Sequence, residues 1–306
     1  MPLSTDCQID RMPVHIKITV FEHSIGSEHF AELCKAYPEN LLPSGLFRIT
    51  REPTDARMVQ VQKHLAEYGL RPAQMGESSG DDVYWADPVS VPTPKQLAEA
   101  EWFSIENMLA TRGDRLHNEE LEWKVEECED EGDREHWQET PVHGCYGAAI
   151  MVTEQIAEVI RGWEAPELRV QPVHYHTRDW SSNTKVPMEW REAGLEPRFS
   201  VASRLTLPLM SETCQPVHRR RGTPLPRGSD EPAAMRRPEG EEQFWCYKQS
   251  EVEQMPPFDL AMTHERLGNS SRAPLNHGLV FSRRLTELLS SEDPNITWWP
   301  VMFEDE

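Results

Sequence analysis

The chain has 306 residues, with 52 acidic side chains against 31 basic ones and a formal net charge of −21. That length leaves room for two domains with a packed core, and the deficit of Lys and Arg argues against a nucleic-acid binder, because phosphate contacts need those residues. No stretch reaches the roughly 18 apolar residues of a membrane helix, and the six cysteines lack CxxC spacing, so reduced thiols in a cytoplasm are expected.

The opening MPLSTDCQIDRMP has neither the basic flank nor the apolar core of a signal peptide. Val14 to Phe21 alternates and predicts a strand. Helices are predicted around Glu28 to Tyr37 and around Asp55 to Tyr68, the second with Met58, Val61 and Leu65 at helical spacing and Gly69 placed as its C-terminal glycine. Gly76-Glu77-Ser78-Ser79-Gly80 matches GxSxG, but its flanks are polar and lead into Asp81-Asp82, so it is a loop and not a nucleophile elbow. Pro94 to Phe103 reads as a short amphipathic helix opened by Thr93. Together these predict a small α/β module over residues 1–110, followed by a second domain over 111–306.

Residues 119–135 are dominated by acid, and within them Leu121, Trp123 and Val125 alternate, which predicts a strand ahead of an acidic loop. The bland reading of this run is a solvated face. The functional one is a docking surface for a basic protein, carried by Glu126, Glu127, Glu129, Asp130 and Glu131.

One pattern then occurs twice. Ile150 to Val173 and Leu279 to Val301 each open on an apolar triplet, followed by a hydroxyl residue suited to a helix N-cap, Thr153 or Ser282. Ile156, Val159 and Ile160 match Leu285, Leu288 and Leu289, and at that spacing they are expected on one core-facing stripe. Each copy ends in Pro-Val, and the prolines predict a strand edge or end. The unit is strand, helix, strand, and a helix of about ten residues needs a sheet to pack on. The second domain is therefore expected to be duplicated, with units near 141–175 and 258–303. Between them, residues 213–242 carry Pro216, Pro224, Pro226, Pro232 and Pro238 beside Arg219, Arg220, Arg221, Arg227, Arg236 and Arg237. This predicts an irregular connection whose charge pairs with the acidic run of the same chain. The fold class is α/β or α+β.

Chemistry is sparse. His174 and His176 share one face of an extended segment, the spacing of a metal-ligand pair. His143 with Cys145, and Cys214 with His218, are similar pairs, and nothing in the sequence brings any of them together. His264-Glu265 suits acid–base work but has no nucleophile at a telling position, so it reads as structural. Trp163, Trp180, Trp190, Trp245, Trp298 and Trp299 cluster around the repeats, where anchoring is the common role.

The arrangement resembles the double-CxxCG proteins and related immunity-type proteins of bacterial polymorphic toxin systems. Leu279 to Val301 resembles their closing unit, Ile150 to Val173 its earlier counterpart, Thr93 to Phe103 their short preceding helix, and Phe258 to Ala261 with Thr263, Glu265 and Arg266 the lead-in. The chain departs from them at Cys128-Glu129-Asp130-Glu131-Gly132, where Glu131 stands at the second cysteine position and no second pair exists, so a zinc ribbon is not expected. The resemblance implies a non-enzymatic cytoplasmic protein that neutralises a toxin by binding it, without a cofactor. The alternatives are a metal-dependent or acid–base enzyme using His174 and His176, and a self-associating scaffold.

Overall fold

The computed structural model describes residues 14–41, 46–73, 83–107, 110–111, 113–115, 123–126, 140–145, 149–179, 184–212, 214, 217–218, 223, 225–229, 233–234, 245–267 and 276–304. They form a mixed α/β protein in two units, divided between Glu99 and Ala100. The sequence places Trp102 and Phe103 in the amino-terminal module. The structure places them in a strand of the second unit.

In the first unit the alternating β1 (Val14–Val20) is flanked by β2 (Phe47–Arg51) and β4 (Val83–Ser90), both antiparallel to it, and β3 (Arg71–Ala73) runs parallel beside β4. Helices α1 (Glu22–Ile25), α2 (Ser27–Ala36) and α3 (Ala56–Glu67) follow β1 and β2. One face of β1, Ile18 and Val20, packs with Phe30 and Leu33 of α2 and with Met58, Val61 and Leu65 of α3. The Asp55 carboxylate caps α3 by accepting from the N–H groups of Arg57 (2.8 Å) and Met58 (3.2 Å). Gly69, at φ +79°, turns the chain out of that helix. Helix α4 (Pro94–Glu99) is opened by a reciprocal cap, with Thr93 Oγ1 accepting from Gln96 N–H (3.2 Å) and Gln96 Oε1 accepting from Thr93 N–H (2.9 Å). It stops four residues short of Phe103, the end expected from sequence.

The second unit is built on β5 (Trp102–Asn107), β6 (Ala110–Thr111), β7 (Gly113–Arg115), β8 (Trp123–Glu126), β9 (Val142–Cys145), β10 (Ala149–Thr153), β11 (Leu168–Asp179), β12 (Thr184–Met188), β13 (Arg198–Ser203), β14 (Val217–His218), β15 (Ala233–Ala234), β16 (Cys246–Lys248), β17 (Leu260–Leu267), β18 (Asn276–Ser282), β19 (Thr297–Pro300) and β20 (Met302–Glu304). Among the described residues its helices are α5 (Glu154–Arg161), α6 (Gln249–Val252) and α7 (Arg283–Glu292). One sheet runs β6-β9-β10-β13-β11-β8-β7, with β12 also on β11. A second runs β14-β15-β17-β18-β5-β19, and β16 pairs with β20.

The sequence repeat is a structural repeat. β10-α5-β11 and β18-α7-β19 are both strand-helix-strand units, and in each the two strands are parallel but separated by a third strand antiparallel to both. That third strand is itself repeated, as Phe103-Ser104-Ile105 in β5 and Phe199-Ser200-Val201 in β13. The registers match position by position. Phe199 stands opposite Val152 and Pro172, and Phe103 stands opposite Phe281 and Pro300. Chain order reveals an exchange: β5, which precedes the first unit, completes the second, while β13, which precedes the second, completes the first.

A single core results. Ile150, Val152, Ile156, Ala157, Ile160 and Leu168 of the first copy lie in one cluster with Phe281, Leu285, Leu289 and Ile296 of the second. The helix faces differ from the sequence expectation. Ile156, Ala157 and Ile160 are buried in α5, and Leu285, Thr286 and Leu289 in α7. Val159, expected in the core, is 45% exposed, and its counterpart Leu288 packs only partly. The stripe is i, i+1, i+4, because each helix lies on the sheet with the residue after the first anchor turned inward.

Pro172 does not end its strand. β11 continues to Asp179, and its pairing with β8 begins only at Val173, so the proline occupies a position with one flank open. Pro300 does end β19, at the sheet edge. The connection between the repeats is not wholly irregular. β14 and β15 pair within it, and Ala233 pairs with Leu267 of β17. Its described arginine, Arg227, forks onto the Glu251 carboxylate (3.0 Å to each oxygen) and donates to the carbonyl of Met210 (3.1 Å), where sequence predicts the acidic run as partner.

Candidate functional site

Beyond Pro172, β11 leaves the shared core. Val173 and Tyr175 turn to a second cluster with Met151, Trp190 and Leu195, and the Trp190 indole donates to the carbonyl of Val173 at 2.7 Å. The period of two then sends His174 and His176 to the opposite face. His174 is exposed and His176 half-buried. β8 lies alongside in parallel, placing Lys124 opposite His174 and Glu126 opposite His176. On its far side β8 pairs with β7, with Asp114 opposite Lys124. On the other edge of β11, Pro187 of β12 stands opposite His176.

The structure thus brings together two candidates that sequence held apart. Glu126 and His176 are register partners on neighbouring strands, fifty residues apart in the chain. Glu126 also ends β8 and is the first of the five acidic candidates in the chain. Glu127, Glu129, Asp130 and Glu131 lie outside the described residues. Among the described residues no three His, Cys, Asp or Glu side chains converge as a metal-ligand set. His143 is buried in β9, and His174 lies on a different strand of the sheet.

A second polar grouping lies where β16 and β17 meet the segment before the connection. Glu265 is 4% exposed. One of its oxygens accepts from Met210 N–H at 2.8 Å, and the other finds no partner among the described residues. The Tyr247 hydroxyl, fully buried beside the same apolar cluster, is in the same state. Burial first, and then the Glu265 charge, push the Tyr247 hydroxyl well above the usual phenol range. Cys214 is raised likewise by burial, partly offset by the Cys246 N–H that its sulfur accepts. His264, the sequence neighbour of Glu265, is exposed on the other face of β17, so the two do not act as a pair. This grouping is invisible in sequence, because Cys214, Tyr247 and Glu265 belong to three separate segments.

Comparison with known protein families, with curated proteins and with solved structures finds no match to this chain.

Proposed function

We propose that this is a non-enzymatic, partner-binding cytoplasmic protein, of the immunity type, that masks a basic toxin domain. The observation that carries the reading is the register pair Glu126–His176, which joins an outward-facing polar strip of β11 to the first of the acidic candidates. A sheet face of that kind, followed in the chain by Glu127, Glu129, Asp130 and Glu131, offers a basic partner negative charge that speeds encounter and fixes register. The net charge of −21 acts in the same direction at longer range. The resemblance of the duplicated units to immunity-type proteins supports it from the side of architecture. No helix among the described residues is long and apolar enough to cross a membrane.

The test is co-expression with the product of the gene immediately upstream, followed by pull-down and a growth assay. A stable complex and relief of that product's toxicity are expected. Neither partner nor relief, with the gene found apart from toxin genes, overturns the reading. Elemental analysis of protein purified without a metal-affinity tag separates the enzyme alternative, for which a stoichiometric metal at His174 and His176 is required.

A further inference from the structure

We propose that Cys214 and Cys246 are a redox pair, forming a reversible disulfide that closes the base of the Pro/Arg-rich connection. The two cysteines bracket that connection in the chain, one before it and one at the start of β16 after it. The segment leading to Cys214 is fastened down step by step. Leu207 N–H donates to Met262 O, Met262 N–H donates to Leu205 O, and Met210 N–H donates to Glu265, each at 2.8 Å. Ser211 N–H then donates to the carbonyl of Cys246 at 2.8 Å, and Cys214 N–H turns back onto Ser211 O at 3.1 Å. The Cys214 sulfur in turn accepts from the N–H of Cys246.

Both backbone polar groups of Cys246 are therefore held by the turn that carries Cys214. Its sulfur lies within hydrogen-bond reach of the residue bearing the second thiol. A disulfide wants Cα atoms about 4.4–6.8 Å apart, a separation with which a direct thiol-to-backbone contact is compatible. Both residues belong to one apolar cluster, with Cys214 buried and Cys246 at its partly exposed margin.

That difference in exposure orders the chemistry. A peroxide reaches Cys246 first: its sulfur attacks the peroxide oxygen, the O–O bond breaks, the thiol proton joins the departing hydroxide as one water, and the sulfur becomes a sulfenic acid. The Cys214 thiol then attacks that sulfur, the S–O bond breaks, and the thiol proton joins the departing hydroxide as a second water. Two thiols are oxidised by two electrons and one peroxide is reduced to two waters. The product ties residues 215–245 into a covalent loop, at the same base where Arg227 already holds Met210 and Glu251.

The experiment uses the full chain, reduced and then treated with one equivalent of hydrogen peroxide, with peptide mapping under non-reducing conditions. The expected result is a loss of two hydrogens per chain, reversed by dithiothreitol, and a peptide joining Cys214 to Cys246. Trypsin cutting at Arg219, Arg220 or Arg221 should then leave a chain that migrates as one band until reduced. Cys246→Ser and Cys214→Ser should each abolish the linkage. A cross-link through Cys7, Cys34, Cys128 or Cys145 instead, or Cys246 carried to the sulfinic acid without any cross-link, overturns the proposal. The mapping is made on the unsubstituted chain, so its outcome does not depend on either variant folding.

Discussion

Ser282 donates its hydroxyl hydrogen to Asp259 Oδ1 at 2.6 Å and accepts from Leu285 N–H at 3.2 Å, so one buried side chain both caps α7 and fixes the strand before it. Asp259 also pairs with Arg284, whose guanidinium stacks 4.1 Å over the Trp163 ring of the other repeat, and its N–H donates to Glu167 at 2.8 Å. Thr153, the equivalent residue in the first repeat, makes no side-chain cap bond. Ser282→Ala should therefore cost about 1–2 kcal/mol, at the upper end for a lost cap, because a buried acceptor also loses its donor. Thr153→Ala should cost less than about 0.5 kcal/mol. Urea unfolding of the two variants measures the difference.

The corrected helix face makes a sharper contrast within one turn. Ile160→Ala removes a fully buried side chain from the shared core and should cost about 2–4 kcal/mol. Val159→Ala, one residue earlier, should stay within about 0.5 kcal/mol. Equal losses would restore the stripe that the sequence spacing predicts.

The exchange of β5 and β13 sets where the chain can be cut. A fragment of residues 100–306 retains the strand between β18 and β19, and should unfold in one cooperative thermal transition. A fragment of 111–306 lacks it. Ile105 no longer packs against the core, the N–H and C=O groups facing β5 lose their partners, and the cooperative transition followed by circular dichroism should disappear.

How much of this was legible follows from which interactions are local. The two strand-helix-strand units, the Thr153 and Ser282 positions, the Asp55 cap and the Gly69 exit can all be read, because capping and amphipathic spacing are properties of a few adjacent residues. The exchange was written in sequence as well, in the repeated Phe-Ser-Ile and Phe-Ser-Val of residues 103–105 and 199–201, but periodicity identifies a strand without naming its neighbours. Val159 was misplaced because a four-residue apolar set on a short helix fits two adjacent stripes equally well. The candidate site was half legible. The acidic run and the His174–His176 pair stand out as composition, whereas the pairing of Glu126 with His176 through β8 and β11 is a non-local register.

Alkaline pH should unfold the protein early. Cys214 and Tyr247 are both raised by burial, so the folded chain keeps protons that the unfolded chain releases above the ordinary thiol value of about 8.5 and phenol value of about 10. Stability is then fully present below those values and falls as pH rises, by up to about 1.4 kcal/mol per pH unit per group. In denaturant titrations at pH 7, 9 and 10.5, Cys214→Ser should lessen the decline that begins near the thiol value, leaving the part due to the Cys34 thiol, which burial also raises, and the later decline.

Binding kinetics decide whether the acidic segment from Glu126 to Glu131 is the partner surface. The chain carrying Glu126→Lys, Glu127→Lys, Glu129→Lys, Asp130→Lys and Glu131→Lys is compared with the unsubstituted chain against the purified product of the upstream gene, at low and high salt. The charge reversals should slow association at least about 10-fold, remove most of the salt dependence, and leave the unfolding midpoint unchanged. An association rate and salt dependence equal to those of the unsubstituted chain would contradict that assignment.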